Sequence, residues 1–145
     1  MNVKIEIKSN RELFERASQE AIENAMEQCG FLAEAYAQTE LTKKKAVDTG
    51  ALRNSIAHQV ADSDKSTVMY VGTNQEYAIY VEMGTGKFVE GGRQTPWAFM
   101  DAKGDWHMTR GMPPRPYIKP AIADHVGIYK KVIKEMLEGG IASTE

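Results

Sequence analysis

One helical stripe constrains this chain more than any other feature of its sequence. Phe14, Ala17, Ala21, Ala25, Cys29, Leu32 and Tyr36 recur at spacings of three or four residues, which puts them on a single face of an α-helix. Ser9, with Glu12 three positions on, forms a capping box ahead of that stripe. The spacing therefore predicts a helix from about residue 10 to about residue 42. Small residues at 17, 21 and 25 let such a helix lie close against a sheet, and Gly30 marks either a kink or a close contact within it. A chain of 145 residues suits one domain, 1–145, with a core of its own.

A sheet for that helix to cover is legible on both sides of it. Val3, Ile5 and Ile7 alternate with Lys4, Glu6 and Lys8, the pattern of a short half-buried strand. Asp48-Thr49-Gly50 is turn chemistry, since the side chains can cap backbone amides and glycine tolerates positive φ. Residues 51–56 then begin as one helical turn. Three strand-like runs follow, 55–62, 67–73 and 77–83, and the short polar turns between them predict an antiparallel meander. Near the end, Pro120 opens a last helix. Ile122, Val126, Tyr129, Ile133 and Met136 form its apolar face, and Glu138-Gly139-Gly140 ends it. The expected architecture is α+β: a long N-terminal helix and a C-terminal helix packed on a small antiparallel sheet.

Residues 84–116 depart from this regularity. They hold six glycines, four prolines and both tryptophans, and a loop this long in a small domain is usually functional or mobile. Within it, 97–101 and 106–109 read as a projecting β-hairpin turning near Lys103-Gly104-Asp105, and 112–121 is extended because residues before proline avoid the helical region. Gly84-Thr85-Gly86-Lys87 looks like a fragment of a phosphate-binding loop, but the spacing removes that reading. Such a loop needs glycine five positions before its Gly-Lys pair and Ser or Thr after it; here those positions are Val81 and Phe88. The dinucleotide-binding glycine pattern fails as well, because no helix is expected to follow.

Catalytic and metal-binding patterns are equally absent from the sequence. His58, His107 and His125 are widely separated, and Cys29 lies on the helical stripe, where a buried inert thiol is the natural reading. No closely spaced carboxylate pair falls on an expected loop. The chain is expected to hold no cofactor or metal and not to be an enzyme. A lone cysteine excludes an intrachain disulfide and fits a reducing compartment. No apolar run is long enough to span a membrane, and residues 1–10 carry no apolar signal core, so a cytoplasmic protein is expected. The formal charge of −2 argues against a protein whose main task is gripping DNA phosphates.

Two features carry the functional reading. Glu82 interrupts an apolar run and is either an exposed position on a half-buried sheet or a carboxylate paired with Arg53 or Arg115 that pins a loop. Phe88, Trp97, Phe99, Trp106 and Met108, with Met100 and Met112 nearby, either fold back on the core, meet another subunit, or stack on single-stranded nucleic acid. Lys87, Arg93, Lys103, Arg110 and Arg115 are few and interleaved with acids, which favours the subunit contact.

Three motifs occur in order: VDTGALRNSI at 47–56, YVGTNQEYAIYVEMGTG at 70–86 and GMPPRPYIKPA at 111–121. Together with the flanking helices, this ordered set resembles the phage tail-component family typified by gene product 10 of HK97. The residues that carry the resemblance are Thr49, Gly50, Leu52, Arg53, Gly72, Thr73, Glu82, Gly84, Thr85, Arg115, Pro116 and Pro120. Tyr117-Ile118 stands where the family pattern has Phe-Leu. The resemblance covers about residues 10 to 138. It implies a structural virion protein of a phage or prophage, a tail-completion or head–tail joining component. Such proteins form rings, commonly six-fold, between the head connector and the tail terminator or tube, with DNA passing through the lumen unbound. It also implies residence in the host cytoplasm until assembly into the virion. A small DNA-binding or packaging-associated protein is the alternative.

Overall fold

The computed structural model describes residues 2–6, 18–44, 50–62, 66–101 and 103–144. Strand β1 is Asn2–Glu6, helix α1 Gln19–Lys43, α2 Ala51–Ser55, β2 Ala57–Asp62 and β3 Thr67–Gly72. Helix α3 is Ala78–Met83, strands β4 and β5 are Trp97–Met100 and Trp106–Thr109, and helices α4 and α5 are Ile118–Ala123 and Val126–Thr144. Mixed helix and sheet is therefore the observed class, as expected.

The long helix starts later than its capping box predicts. Ser18 is the cap: its backbone is extended (φ −71°, ψ 152°) and its Oγ accepts from the Ala21 amide at 3.1 Å. The expected cap at Ser9, with Phe14 and Ala17, lies outside the described residues, as does Thr49. The buried stripe is also rotated. It runs Ile22, Ala25, Met26, Cys29, Ala33, Ala37, Leu41, while Leu32 and Tyr36 are half-buried beside it. The reason is that α1 packs against β2 and β3 and also against α4 and α5. Gly30 is a close contact, not a kink, because any side chain there would collide with the His58 imidazole from β2.

The three-stranded sheet has the order β1-β3-β2, both pairings antiparallel. Val3 lies opposite Val71, and His58 lies opposite Val71 from the other side. β3 is thus the central strand and nearly all of it is buried. The expected third strand of a meander at 77–83 does not form. β1 already occupies the second edge of β3, and residues 78–83 are helix α3. Their burial at Ala78, Val81 and Glu82 has the helical spacing of three and four, which a short apolar run disguises as alternation.

The C-terminal region also differs from expectation. Pro120 is the third residue of α4, not the first of one long helix, and the chain breaks at Asp124-His125 before α5. α5 continues past Gly139-Gly140 to Thr144. It packs on α1, and just before its first residue the His125 ring stacks on Tyr36 at 3.6 Å between centroids. Tyr129, at 3 % exposure, donates its hydroxyl to the Ala121 carbonyl at 2.7 Å. Leu137 is buried against Ile22 and Ala25, a contact the expected apolar face omitted.

Candidate assembly surface

Helix α3 is the platform from which the 84–116 segment leaves and to which it returns. Glu82 is 7 % exposed. Its Oε2 accepts from the Tyr117 amide at 2.6 Å and the Ile118 amide at 3.0 Å, and its Oε1 from the Lys119 amide at 2.9 Å. Glu82 therefore pins, but what it holds is the first turn of α4, through peptide N–H groups that a helix start leaves without intrahelical partners. Glu82 thus lies on a helix and not at the sheet position expected from the sequence, and the partners seen for its carboxylate are backbone amides. Arg115 joins the same junction through its backbone, its amide donating to the Val81 carbonyl at 2.7 Å. Arg53 is an exposed residue of α2 whose carbonyl accepts from the Gln38 side chain. Tyr117 is fully buried below, its hydroxyl directed at the Ala78 carbonyl; burial and the nearby Glu82 charge push that hydroxyl's pKa upward.

A second clasp lies just beyond α3. The Thr85 amide donates to Met112 O at 2.9 Å, Thr85 Oγ1 accepts from the Met112 amide at 2.8 Å, and the Lys87 amide donates to Arg110 O at 3.0 Å. Two glycines permit it. Gly84 (φ 83°) would carry a Cβ 2.9 Å from Met112 O, and Gly86 (φ 60°) would carry one into Arg110 O, so both backbone conformation and space exclude a side chain. Thr85 is the turn hydroxyl that the sequence suggested.

From this clasp β4 and β5 project as an antiparallel hairpin, with Trp97 opposite Thr109 and Met100 opposite Trp106. Asp101 ties the turn: its Oδ1 accepts from the Lys103 and Asp105 amides, each at 2.9 Å, and its Oδ2 faces His107 Nε2 at 2.6 Å. The His107 bond first, then the backbone amides, lower the Asp101 pKa. Of the expected contact residues, Phe88, Phe99, Trp106 and Met108 are exposed and Trp97 is half-buried under Arg93. None of these five enters the buried core. The other motif residues fall into structural places. Leu52 is buried, Gly50 (φ 77°) caps α2, Gly72 ends β3, and Thr73 Oγ1 meets Ser55 Oγ and accepts from the Gln75 amide. Pro116 offers its carbonyl to Lys44 Nζ at 2.6 Å.

Sequence reasoning missed the outward face of α3, because it read those residues as a strand. Ile79, Tyr80 and Met83 are 48 %, 55 % and 60 % exposed. They border an apolar groove of about 350 Å³ completed by residues 84–86, Val89 and Gly92. It also missed His58, whose two ring nitrogens each face a carboxylate at 2.7 Å, Glu34 at Nδ1 and Glu27 at Nε2; nothing local in the sequence links positions so far apart. Cys29 is fully buried and burial raises its thiol pKa to about 11. Among the described residues no group of three or more His, Cys, Asp and Glu side chains could hold a metal ion, and no helix is long and apolar enough to cross a membrane.

Residues 4–84 match the family described as "Bacteriophage HK97-gp10, putative tail-component", more than half of the chain. The chain belongs to this family. No curated protein matches it, and no solved structure does. The HK97-gp10 match includes the motifs at 47–56 and through Gly84 of the second, and it stops where α3 hands over to the clasp. The hairpin, the third motif and the C-terminal helices lie beyond it. Membership of a phage tail-component family implies a location in the virion and contact with other virion proteins.

Proposed function

We propose that this HK97-gp10 family chain is a non-enzymatic ring subunit that joins head and tail. The observation that carries the reading is the hairpin, an exposed apolar arm held by a doubly anchored base. A two-stranded hairpin is marginal alone in water, so the arm is built for contact with another surface. The ring would lie between a head connector and the tail terminator or tube, with DNA passing through its lumen. A subunit with a formal charge of −2 suits a channel that DNA slides through without being held. Until assembly the chain would reside in the cytoplasm of the host carrying the phage or prophage.

The test is electron microscopy of particles with this chain located in them, together with deletion of residues 87–110. Head–tail density that contains the chain, and loss of joined particles on deletion with the remaining fold intact by circular dichroism, are expected. Joined infectious particles from the deletion overturn the role. Salt-sensitive DNA binding at physiological ionic strength supports the packaging-associated alternative, for which the cations Lys87, Arg93 and Arg110 at the hairpin base are the supporting feature.

A further inference from the structure

The hairpin has two unlike faces. Directly opposed residues share a face and neighbours along a strand alternate, so Trp97, Phe99, His107 and Thr109 lie on one side and Ala98, Met100, Trp106 and Met108 on the other. The first side is engaged within the chain. Phe99 stacks on His107 with ring centroids 5.3 Å apart, and the Arg93 guanidinium lies 5.6 Å from the Trp97 ring. The second side is apolar throughout, and Met100, Trp106 and Met108 are 53 %, 67 % and 67 % exposed. Aromatic residues and methionine are the side chains enriched in interface cores.

A matching acceptor lies at the other end of the same arm. Ile79, Tyr80, Met83 and Val89 border the groove beside the clasp, and none of the apolar hairpin residues lines it. The chain's own hairpin is held away from it. Arg110 O is bonded to the Lys87 amide at the groove edge, and Trp106 lies four residues up β5, roughly 13 Å along an extended strand at about 3.3 Å per residue. The formal charges are complementary as well: the base carries Lys87, Arg93 and Arg110 against Glu90, and the tip carries Asp101 and Asp105 against Lys103.

We infer that the Ala98–Met100–Trp106–Met108 face of one copy docks in the Ile79–Tyr80–Met83–Val89 groove of the next. The contact is heterologous, because donor and acceptor are different surfaces of one chain. Repetition of such a contact makes a ring if its rotation closes. It deepens the proposed role by naming the subunit joint, and rests on that reading only in requiring that the chain meets copies of itself.

The full-length chain tests it by site-directed cross-linking. Ile79→Cys and Ala98→Cys variants, each retaining the buried Cys29, are mixed and treated with a short bis-maleimide. The expected product is a dimer joined between positions 79 and 98, absent from either variant alone. Adding Trp106→Asp to the Ala98→Cys chain should lower its yield at least ~10-fold, as loss of an aromatic hot spot does. Adding the same change to the Ile79→Cys chain should leave it intact, since that copy contributes only its groove. Met108→Asp serves as a second hairpin variant, and circular dichroism confirms that each variant is folded. Absence of the 79–98 product overturns the inference, as does its indifference to which copy carries Trp106→Asp. Either failure leaves the virion location, read by microscopy, standing.

Discussion

Glu82→Ala should be the most damaging single change outside the apolar core. The side chain is 7 % exposed and accepts three backbone amides, of which those of Tyr117 and Ile118 belong to fully buried residues. Hydrogen bonds to a charged group contribute about 1.5–3 kcal/mol each, and stranding a buried N–H costs about 1–3 kcal/mol. Water can reach the exposed Lys119 residue, and the lost carboxylate no longer has to be kept out of water, so the contributions do not simply add. A net loss of about 3–4 kcal/mol follows from the two buried amides. That is a large part of a typical domain stability of about 5–15 kcal/mol, and lowers Tm by about 10 °C at this chain length. Urea unfolding followed by far-UV circular dichroism measures it, with Glu90→Ala, at an exposed position, as the control that should stay within about 0.5 kcal/mol. Glu82→Gln keeps one acceptor oxygen and should fall between them. A loss below about 1 kcal/mol for Glu82→Ala would refute the reasoning, because no buried N–H could then have been stranded.

Gly86→Ala forces a left-handed φ on a residue with a Cβ and drives that Cβ into the Arg110 carbonyl; it should cost about 2 kcal/mol or more and speed amide exchange at Lys87, and unchanged exchange would contradict the clasp. Tyr129→Phe leaves the Ala121 carbonyl without its 2.7 Å donor and should cost about 1–2 kcal/mol in the same urea assay. His58 gives a pH prediction. Burial opposes its charge, but the hydrogen bonds to Glu27 and Glu34 and then their charges outweigh it, so its pKa is raised. A raised folded value means that the stabilisation is complete below the unfolded histidine value of about 6.5 and is lost as pH rises through the folded value. The penalty of His58→Gln should therefore be larger at about pH 6 than at about pH 9, and a penalty that grows with pH would show that the ring is held neutral.

How far the sequence could be read depends on the range of the interaction that decides each element. The α1 helix and the β4–β5 hairpin were legible because spacing of three and four, and alternation around a Lys103-Gly104-Asp105 turn, are written in neighbouring residues. The family resemblance was legible for the same reason, since two of its motifs lie within or across the span that matches. Residues 77–83 were misread, because a short apolar run fits both periods. What settles it is the occupation of β3's second edge by β1, some seventy positions away. Glu82 was recognised as a pin, but not what it pins, because its three partners are backbone amides more than thirty positions on. His58 was seen only as a scattered histidine, since its two carboxylates face it only when β2 lies on α1.

The sequence by itself determined the class of fold, the long helix, the projecting arm and the family, all of which follow from local periodicity, turn chemistry and ordered motifs. Only the tertiary structure decided that the arm leaves from a helix, that its base is clasped on two glycines, and that one hairpin face is left apolar and exposed near a groove that none of its residues lines. Those facts depend on which backbone groups meet across the chain, and hydrogen bonds of that range leave no periodic trace in the order of residues.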